Sequence, residues 1–494
     1  MGTARHVAID LGAESGRIVL GTLSAGRLAI KEVHRFQNGP VKMLGTLRWN
    51  LVRLWEEILA GLRKVGGAVE SVSVDSWGVD FVLVRGGEPM VGVAFNYRDP
   101  RAAGPYRSLR ARVGDAKIYE ATGIQFMSIN TLYQLVADRE RDPQWVESAD
   151  GFLMIADWFH WLLSGRRVVE ETNASTTQLY DPRARAWSRD IIAASGLPAR
   201  LFDGEIVRPG TRLGPLTGAV AEETGLRGVE VIAGCTHDTA AAVAAVPASG
   251  EDWAYLSSGT WSLIGVELAA PLLNEAARRA NFTNEIGHGG TIRFLKNLIG
   301  LWIVQECRRH WARAGHAWSY DDITRQAAAA PPLRALIRPD DPRFIAPDDM
   351  PAKVQAFCRE TGQPVPETPG EIVRCALESL ALLYRQSLDE LEHVTGRTLR
   401  VLHIVGGGSR NALLNQFAAD ATRRTVVAGP EEATAIGNVL VQAIAMQHLD
   451  SLAALRSVVR DSFPVESFAP SHDPAWAAAL GRFRSLKVEI QAVS

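Results

Sequence analysis

Cysteine is scarce in this 494-residue chain: Cys235, Cys307, Cys358 and Cys375 are the only four, and no two form a C-x-x-C pair. That excludes a disulfide-stapled secreted scaffold and, with no secretory leader in view, sets the expected compartment as a reducing cytoplasm. An excess of charge is missing as well. Lys+Arg 53 against Asp+Glu 55 leaves a net charge of -2, too little for the broad basic face that holds nucleic acid through its phosphates. A small anionic ligand stays open, because backbone N–H groups and a metal ion can hold phosphates without net positive charge.

Long apolar runs are lacking too. A stretch without formal charge as long as any in the chain, 433–449, contains Thr434, Asn438, Gln442, Gln447 and His448, and is too short and too polar to cross a bilayer. The opening residues have no apolar targeting core. G-x-x-x-x-G-K-[ST], a G-x-G-x-x-G after a strand, G-x-S-x-G and H-E-x-x-H are all absent. Their absence counts against P-loop NTPases, dinucleotide enzymes, serine hydrolases and zincins. The eleven His are scattered and offer no metal-ligand cluster.

What is present is 47% hydrophobic residues, enough for sizeable cores, in a length that predicts two to four domains. HVAIDL, RIVLGTL and RLAIKEVHRF read as an antiparallel meander broken at GAESG and SAG. A helix is predicted over 51–65, followed by the strands ESVSVDSWG and VDFVLVRGG. Near residue 250 the opening theme returns as DWAYLSS, a Gly-Thr turn and WSLIGVEL, about 245 positions after its first appearance. The repeat suggests an internal duplication into two α/β domains, 1–245 and 246–494, with a helical tail from about 449. Two βα units follow: a strand over 399–405 leading through Gly406-Gly407-Gly408 into a helix over 411–422, then TVVAG and a helix from Ala435.

Four segments carry candidate chemistry. In Asp10-Leu-Gly-Ala-Glu-Ser-Gly-Arg17 a strand-end carboxylate precedes a turn of small residues. Such a turn either cradles a phosphate, with Asp10 holding a hydrated Mg²⁺, or is an ordinary hairpin beside an Asp. Ser257-Ser258-Gly259-Thr260 is the matching turn of the second copy. Gly406-Gly407-Gly408-Ser409 removes side chains where the planar base of adenosine can approach the backbone, or is a βα turn with incidental glycines. In Thr236-His237-Asp238-Thr239, either Asp238 is simply the helix N-cap or His237 beside it serves as a general base at an interdomain cleft. Asp75-Ser76-Trp77-Gly78-Val79-Asp80 interrupts two apolar strands with polar and aromatic groups. It fits a sugar site in which Trp77 offers a ring face, or a bulge with a core Trp.

DLGAESGR, VDSWGVDFVL, TNASTTQL, HDTAAAV, YLSSGTWSLIGVE, TNEIG, LHIVGGGSRNALLNQFAADA and AGPEEATAIGN, in this order from about residue 7 to about 440, resemble segments of the FGGY carbohydrate kinase family, within the actin-like ATPase superfamily. The resemblance implies an α/β protein of two actin-like (ribonuclease-H-like) domains with the active site in the cleft between them. It implies ATP-dependent phosphorylation of a ketose, with Mg²⁺. By the same resemblance Ala13, Glu14, Ser15, Gly16, Arg17, Thr260, Gln305 and Gly407 bind ATP, and Asp10 orients the metal through water. Gly78, His237, Asp238, Thr239 and Asn297 match sugar-site positions, with Asp238 as catalytic base. Glu14 departs from the small or hydroxyl residue common at that place, and is expected to point away from the γ-phosphate or towards the metal. The expected partners are the ketose and ATP alone, with no nucleic acid and no membrane, in a monomer or small homo-oligomer.

Overall fold

A computed structural model describes residues 2–86, 88–90 and 94–486. The chain divides into two compact units, each assembled from three stretches. The first takes Met1–Pro247, Glu267–Phe294 and Ala433–Phe463; the second takes Ala248–Val266, Leu295–Glu432 and Pro464–Ser494.

The first unit is built on strands β1 (Ala4–Leu11), β2 (Ser15–Ser24), β3 (Arg27–Gln37), β4 (Ser71–Ser76), β5 (Thr211–Pro215) and β6 (Glu230–Ala233), in the order β5-β6-β4-β1-β2-β3. The meander β1-β2-β3 is antiparallel, whereas β4 lies parallel to β1 and β6 parallel to β4. Val7, Ala8, Ile9 and Leu11 are all fully buried, as expected of a central strand covered on both faces. Helix α1 (Leu51–Arg63) starts where the Asn50 side chain accepts from Arg53 N–H, and buries Leu51, Leu54, Ile58 and Leu62 along one stripe. The predicted strand pair around Trp77 is real, but it splits between two sheets. β4 ends at Ser76, and Phe81–Arg85 pairs instead with Gly151–Met154.

The second unit repeats the plan. Strands β7 (Trp253–Ser258), β8 (Trp261–Leu268), β9 (Ile292–Ile299), β10 (Val401–Val405), β11 (Thr425–Ala428) and β12 (Glu466–Phe468) run in the order β9-β8-β7-β10-β11-β12, with the strand Thr283–Ile286 beyond β9; the end of β8 and the start of β9 as far as Phe294 count with the first unit. β7 and β8 form the antiparallel hairpin, and β10 and β11 add on in parallel. Within β5-β6-β4-β1-β2-β3, the run β6-β4-β1-β2-β3 therefore corresponds to β11-β10-β7-β8-β9.

Two helices of the first unit matter for the site: α2 (Asp238–Ala244), after β6, and α6 (Ala433–Ala445). They approach so closely that a Cβ on Gly437 would stand 1.8 Å from the Ala241 carbonyl oxygen. In the second unit α3 (Trp302–Arg313) follows β9, and α5 (Ala412–Thr422) follows β10. The long α4 (Pro369–Thr395) opens with a Thr368/Glu371 capping box and stops at Gly396, whose φ is +69°. The four cysteines are free and buried, with the Cys358 and Cys375 thiols hydrogen-bonded to each other. Among the described residues no helix is long and apolar enough to cross a membrane.

Candidate active site

Three parallel strands of the first unit end in chemistry. Asp10 near the end of β1 is in register with Asp75 of β4. Ser76 N–H donates to the Thr236 carbonyl at 2.9 Å, which fastens the loop after β6 to the same sheet edge and delivers His237 and Asp238 there. Carboxyl ends of parallel strands are where α/β sheets bind ligands. Asp238 does not serve as N-cap. His237 holds that position without a side-chain cap bond, and Asp238, the first helical residue of α2, accepts from Thr239 N–H at 2.5 Å and Thr239 Oγ1 at 3.1 Å.

The Asp10 charge acts on both of the other carboxyls. Burial pushes the Asp238 carboxyl up from the ordinary range; the His237 ring pulls it back and the Asp10 charge adds to the rise. Asp75 is driven well up, first by burial and then by Asp10. Asn438 of α6 donates to Asp75 Oδ2 at 2.5 Å, Gln442 donates to Asn438 Oδ1 at 2.7 Å, and Ser71 Oγ donates to Gln442 Oε1 at 2.7 Å. A buried polar seam thus ties β4 to α6.

The 236–239 loop has its own brace. Buried Glu170 accepts from Thr172 N–H at 2.9 Å, from Thr236 N–H at 3.1 Å, from Thr236 Oγ1 at 2.7 Å, and from the Thr172 hydroxyl. His237 N–H donates to Thr172 Oγ1 at 3.2 Å. On the ring side, Arg293, with no exposed surface, places Nη2 at 3.0 Å from His237 Nδ1 and at 3.1 Å from Glu285 Oε2. His237 Nε2 stands 3.5 Å from Asp238 Oδ1, and a Cβ on Gly78 would lie 3.4 Å from that nitrogen. Gly78, His237, Asp238 and Thr239 are therefore brought together in the first unit. Sequence reasoning missed Glu170, Glu285 and Arg293. TNASTTQL and TNEIG flagged two of the neighbourhoods, but nothing in the spacing ties them to residue 237.

Burial lifts the Glu170 carboxyl to about 7, against its hydrogen-bond donors. A group whose folded pKa is raised binds more protons in the native state. Its contribution to stability is full below its unfolded value, about 4.3, and is lost as pH climbs through 7. Wild-type protein should therefore show a lower urea midpoint at pH 7.5 than at pH 5, and Glu170→Gln should make that decline shallower. Equal declines in the two proteins would contradict the assignment.

Trp77 does not offer a sugar-facing ring. It is 5% exposed, its ring centroid is 4.0 Å from that of Trp49, and its indole N–H donates to Asp80 Oδ2 at 3.0 Å. Trp49 Nε1 and Tyr97 N–H share that oxygen, while Gln134 Nε2 donates to Asp80 Oδ1. Between Gly78 and this hub, Val79 adopts φ +66°, costly for a β-branched residue. Thr176 Oγ1 accepts from Val79 N–H at 3.2 Å, and the Thr131 hydroxyl donates to the Val79 carbonyl at 2.6 Å.

In the 12–17 turn, Gly12 N–H donates to the Ser15 carbonyl, and Asn38 clasps the loop by donating to the carbonyls of Gly12 and Glu14. Ala13, Glu14 and Ser15 are half-buried at its crest. Gly16 is glycine for packing: a Cβ there would meet the Phe36 ring at 2.3 Å. Arg17 places Nη2 at 2.6 Å and Nε at 3.2 Å from Asp10 Oδ2.

The second unit gathers the remaining candidates. The Thr260 carbonyl accepts from Gly300 N–H and Trp302 N–H at the start of α3. One turn along, Gln305 has a buried Oε1 with no hydrogen-bond partner among the described residues. Asn297 lies on β9. In the glycine run, Gly406 takes φ +84° and Gly408 would drive a Cβ to 2.0 Å from Ser258 Oγ, whereas Gly407 faces open space. Of the three, Gly407 is the one whose missing side chain leaves room for a ligand.

Among the described residues no group of three His, Cys, Asp or Glu could hold a metal by direct ligation. That donor set suits Mg²⁺, which keeps most of its water and needs one or two carboxylates plus phosphate oxygens. Asp10, whose charge raises the proton affinity of both Asp75 and Asp238, contributes to that field.

Models of the N-terminal and C-terminal domains of the FGGY family of carbohydrate kinases match residues 6–245 and 254–446. The chain is 43% identical over 481 residues to a rhamnulokinase from Bacteroides thetaiotaomicron, covering 97% of this chain and 98% of that one. It is 40% identical over 468 residues to a rhamnulokinase from Bacillus subtilis, covering 94% and 95%. Among solved structures, a ligand-bound xylulose kinase from Lactobacillus acidophilus aligns with a TM-score of 0.79 at 14% identity, over 97% of this chain and 96% of that one. Plasmodium falciparum glycerol kinase with ADP aligns at 0.75 and 15%, over 97% and 98%. At these identities the structural likeness speaks for the fold alone.

Proposed function

Because the chain belongs to the FGGY family of carbohydrate kinases, we propose that it transfers the γ-phosphoryl group of ATP to the carbon-1 hydroxyl of L-rhamnulose, giving L-rhamnulose 1-phosphate and ADP in L-rhamnose catabolism. The observation that carries this reading is Asp238. It is a partly buried carboxylate of raised proton affinity, set beside His237 and Gly78 on the sheet edge that also ends in Asp10.

An alcohol is a poor nucleophile until its proton has somewhere to go. Asp238 accepts that proton as the hydroxyl oxygen attacks phosphorus in line and the bond to the bridging oxygen of ADP breaks. Backbone N–H groups of the 13–16 crest meet the phosphate charge without bringing net positive charge to the protein. Arg17 is assigned to the same phosphates and steadies Asp10 meanwhile. Asp10 would hold Mg²⁺ through water, and the ion, when bound, neutralises charge on the β- and γ-phosphates. In the second unit, Thr260, Gln305 and Gly407 are assigned to the nucleotide and Asn297 to the sugar. Gly78, His237 and Thr239 complete the sugar contacts. Glu14 is taken to face away from the γ-phosphate or towards the metal. A cytoplasmic monomer or small homo-oligomer is the form proposed for this enzyme.

A coupled ADP-release assay across L-rhamnulose, L-fuculose and D-xylulose tests the reading. L-Rhamnulose should give the highest kcat/KM. A preference for L-fuculose would move the assignment to another ketose on the same fold. ADP release indifferent to every sugar would favour an actin-like ATPase without a sugar substrate.

A further inference from the structure

We infer that Arg293 is a positioning residue that fixes the tautomer of His237, so that His237 meets the sugar as a hydrogen-bond donor through Nε2. The inference deepens the kinase reading and rests on it for the identity of the ligand, but not for the state of the ring.

The argument starts from what each nitrogen can do. A guanidinium has five N–H donors and no acceptor, and it does not lose its charge in a protein. Arg293 Nη2 lies 3.0 Å from His237 Nδ1, so a hydrogen bond there requires a lone pair on Nδ1. A proton on that nitrogen would set N–H against N–H at the same distance. Among the described residues the other candidate to claim a proton on Nδ1 is Glu285 Oε2, and it stands at 3.4 Å, beyond a well-formed hydrogen bond. The same carboxylate is nearer to Arg293 Nη2, at 3.1 Å, and so serves as its counter-charge. Arg293 is itself held: Nε donates to the Ile286 carbonyl at 3.1 Å, and its side chain has no exposed surface.

With Nδ1 occupied, a neutral ring carries its proton on Nε2. That nitrogen points to the space bounded by Gly78 and by Asp238 Oδ1 at 3.5 Å. The pair then presents one acceptor, Asp238, and one donor, His237 Nε2–H, side by side. The carboxylate takes the proton of the attacking hydroxyl, while the imidazole can only give a hydrogen bond to an acceptor oxygen of the sugar. His237 is thereby removed from the role of general base and assigned to orienting the substrate. The hold on the ring nitrogen gives a reason for keeping a full charge inside this unit at the cost of its desolvation.

Two-bond ¹H–¹⁵N correlation spectra of the full-length, sugar-free enzyme with ¹⁵N-labelled histidine read the tautomer directly, with His237→Gln identifying the ring. The expected pattern is an unprotonated Nδ1 and a protonated Nε2. The reverse pattern, with Nδ1–H given to Glu285, would overturn the proposal. Glu285→Gln should leave the pattern unchanged, because the lone pair is still held by Arg293; a switch in that variant would assign the tautomer to Glu285 instead. Arg293→Met should turn the pattern into a mixture and raise KM for the ketose about tenfold or more, with KM for ATP within about twofold and partial recovery in Arg293→Lys. A folded Arg293→Met with an unaltered ring and unaltered ketose KM would refute it, and if that variant does not fold, the wild-type spectrum decides. Should the ADP assay select another sugar, the ring pattern stands or falls on its own.

Discussion

Asp238→Asn should lower kcat by two or more orders of magnitude while leaving ATP binding intact, as expected when a general base is lost. Asparagine keeps the size of the side chain and can still accept from Thr239, so the start of α2 is preserved and the loss falls on proton transfer. Because burial and Asp10 raise the proton affinity of Asp238, the acid limb of the wild-type rate profile should lie above the ordinary carboxylate value, with activity lost as pH falls through it. Single-turnover measurements, paired with nucleotide titration of the variant, separate chemistry from binding. Near-normal turnover in Asp238→Asn would remove the residue from the chemistry.

The largest effect on stability should come from Gly437→Ala. A methyl group there would stand 1.8 Å from the Ala241 carbonyl oxygen and 2.6 Å from its carbon, both backbone atoms that no rotamer change can move aside. The helices α2 and α6 must separate, and overpacking of this kind costs about 3 kcal/mol. The shift would also drag Asn438 and Gln442 from their partners on β4, leaving buried polar groups unpaired. A fall in the urea midpoint, with much of the expressed variant insoluble, is the expected result. A thermal midpoint close to wild type would mean that the two helices have slack the structure does not show.

Much of the architecture is legible in the sequence because its signals are local. Alternating apolar residues broken at GAESG and SAG give β1 to β3, and the same pattern near residue 250 gives β7 and β8. The duplicated plan follows from the repeat, since both hairpins lead a sheet with the same neighbours. The site is legible only in part, because its support is tertiary. Glu170 braces Thr236 across 66 positions, and Arg293 reaches His237 across 56. No spacing rule couples such residues. For Trp77 the sequence leaves open a sugar-facing ring or a core Trp, and the second holds: its indole N–H has a buried acceptor in Asp80, which the local sequence places only three positions away without showing its direction. Gly16 and Gly408 carry a similar lesson: both stand in turns that the sequence offers as candidate nucleotide sites, yet neighbouring side chains already account for their lack of a Cβ.

The helix α6 belongs to the last of the first unit's three stretches, and it begins 200 positions after the end of β6. On the ribosome, β1 and β4 must therefore emerge and wait while nearly all of the second unit is translated. Throughout that interval Ser71 and Asp75 lack Gln442 and Asn438, and Gly21 lacks the Val439 side chain that fills its face. Until residue 442 has been made, those two polar positions of β4 have no partners from α6, so the support beneath the candidate site is supplied by the last of the first unit's three stretches, 433–463.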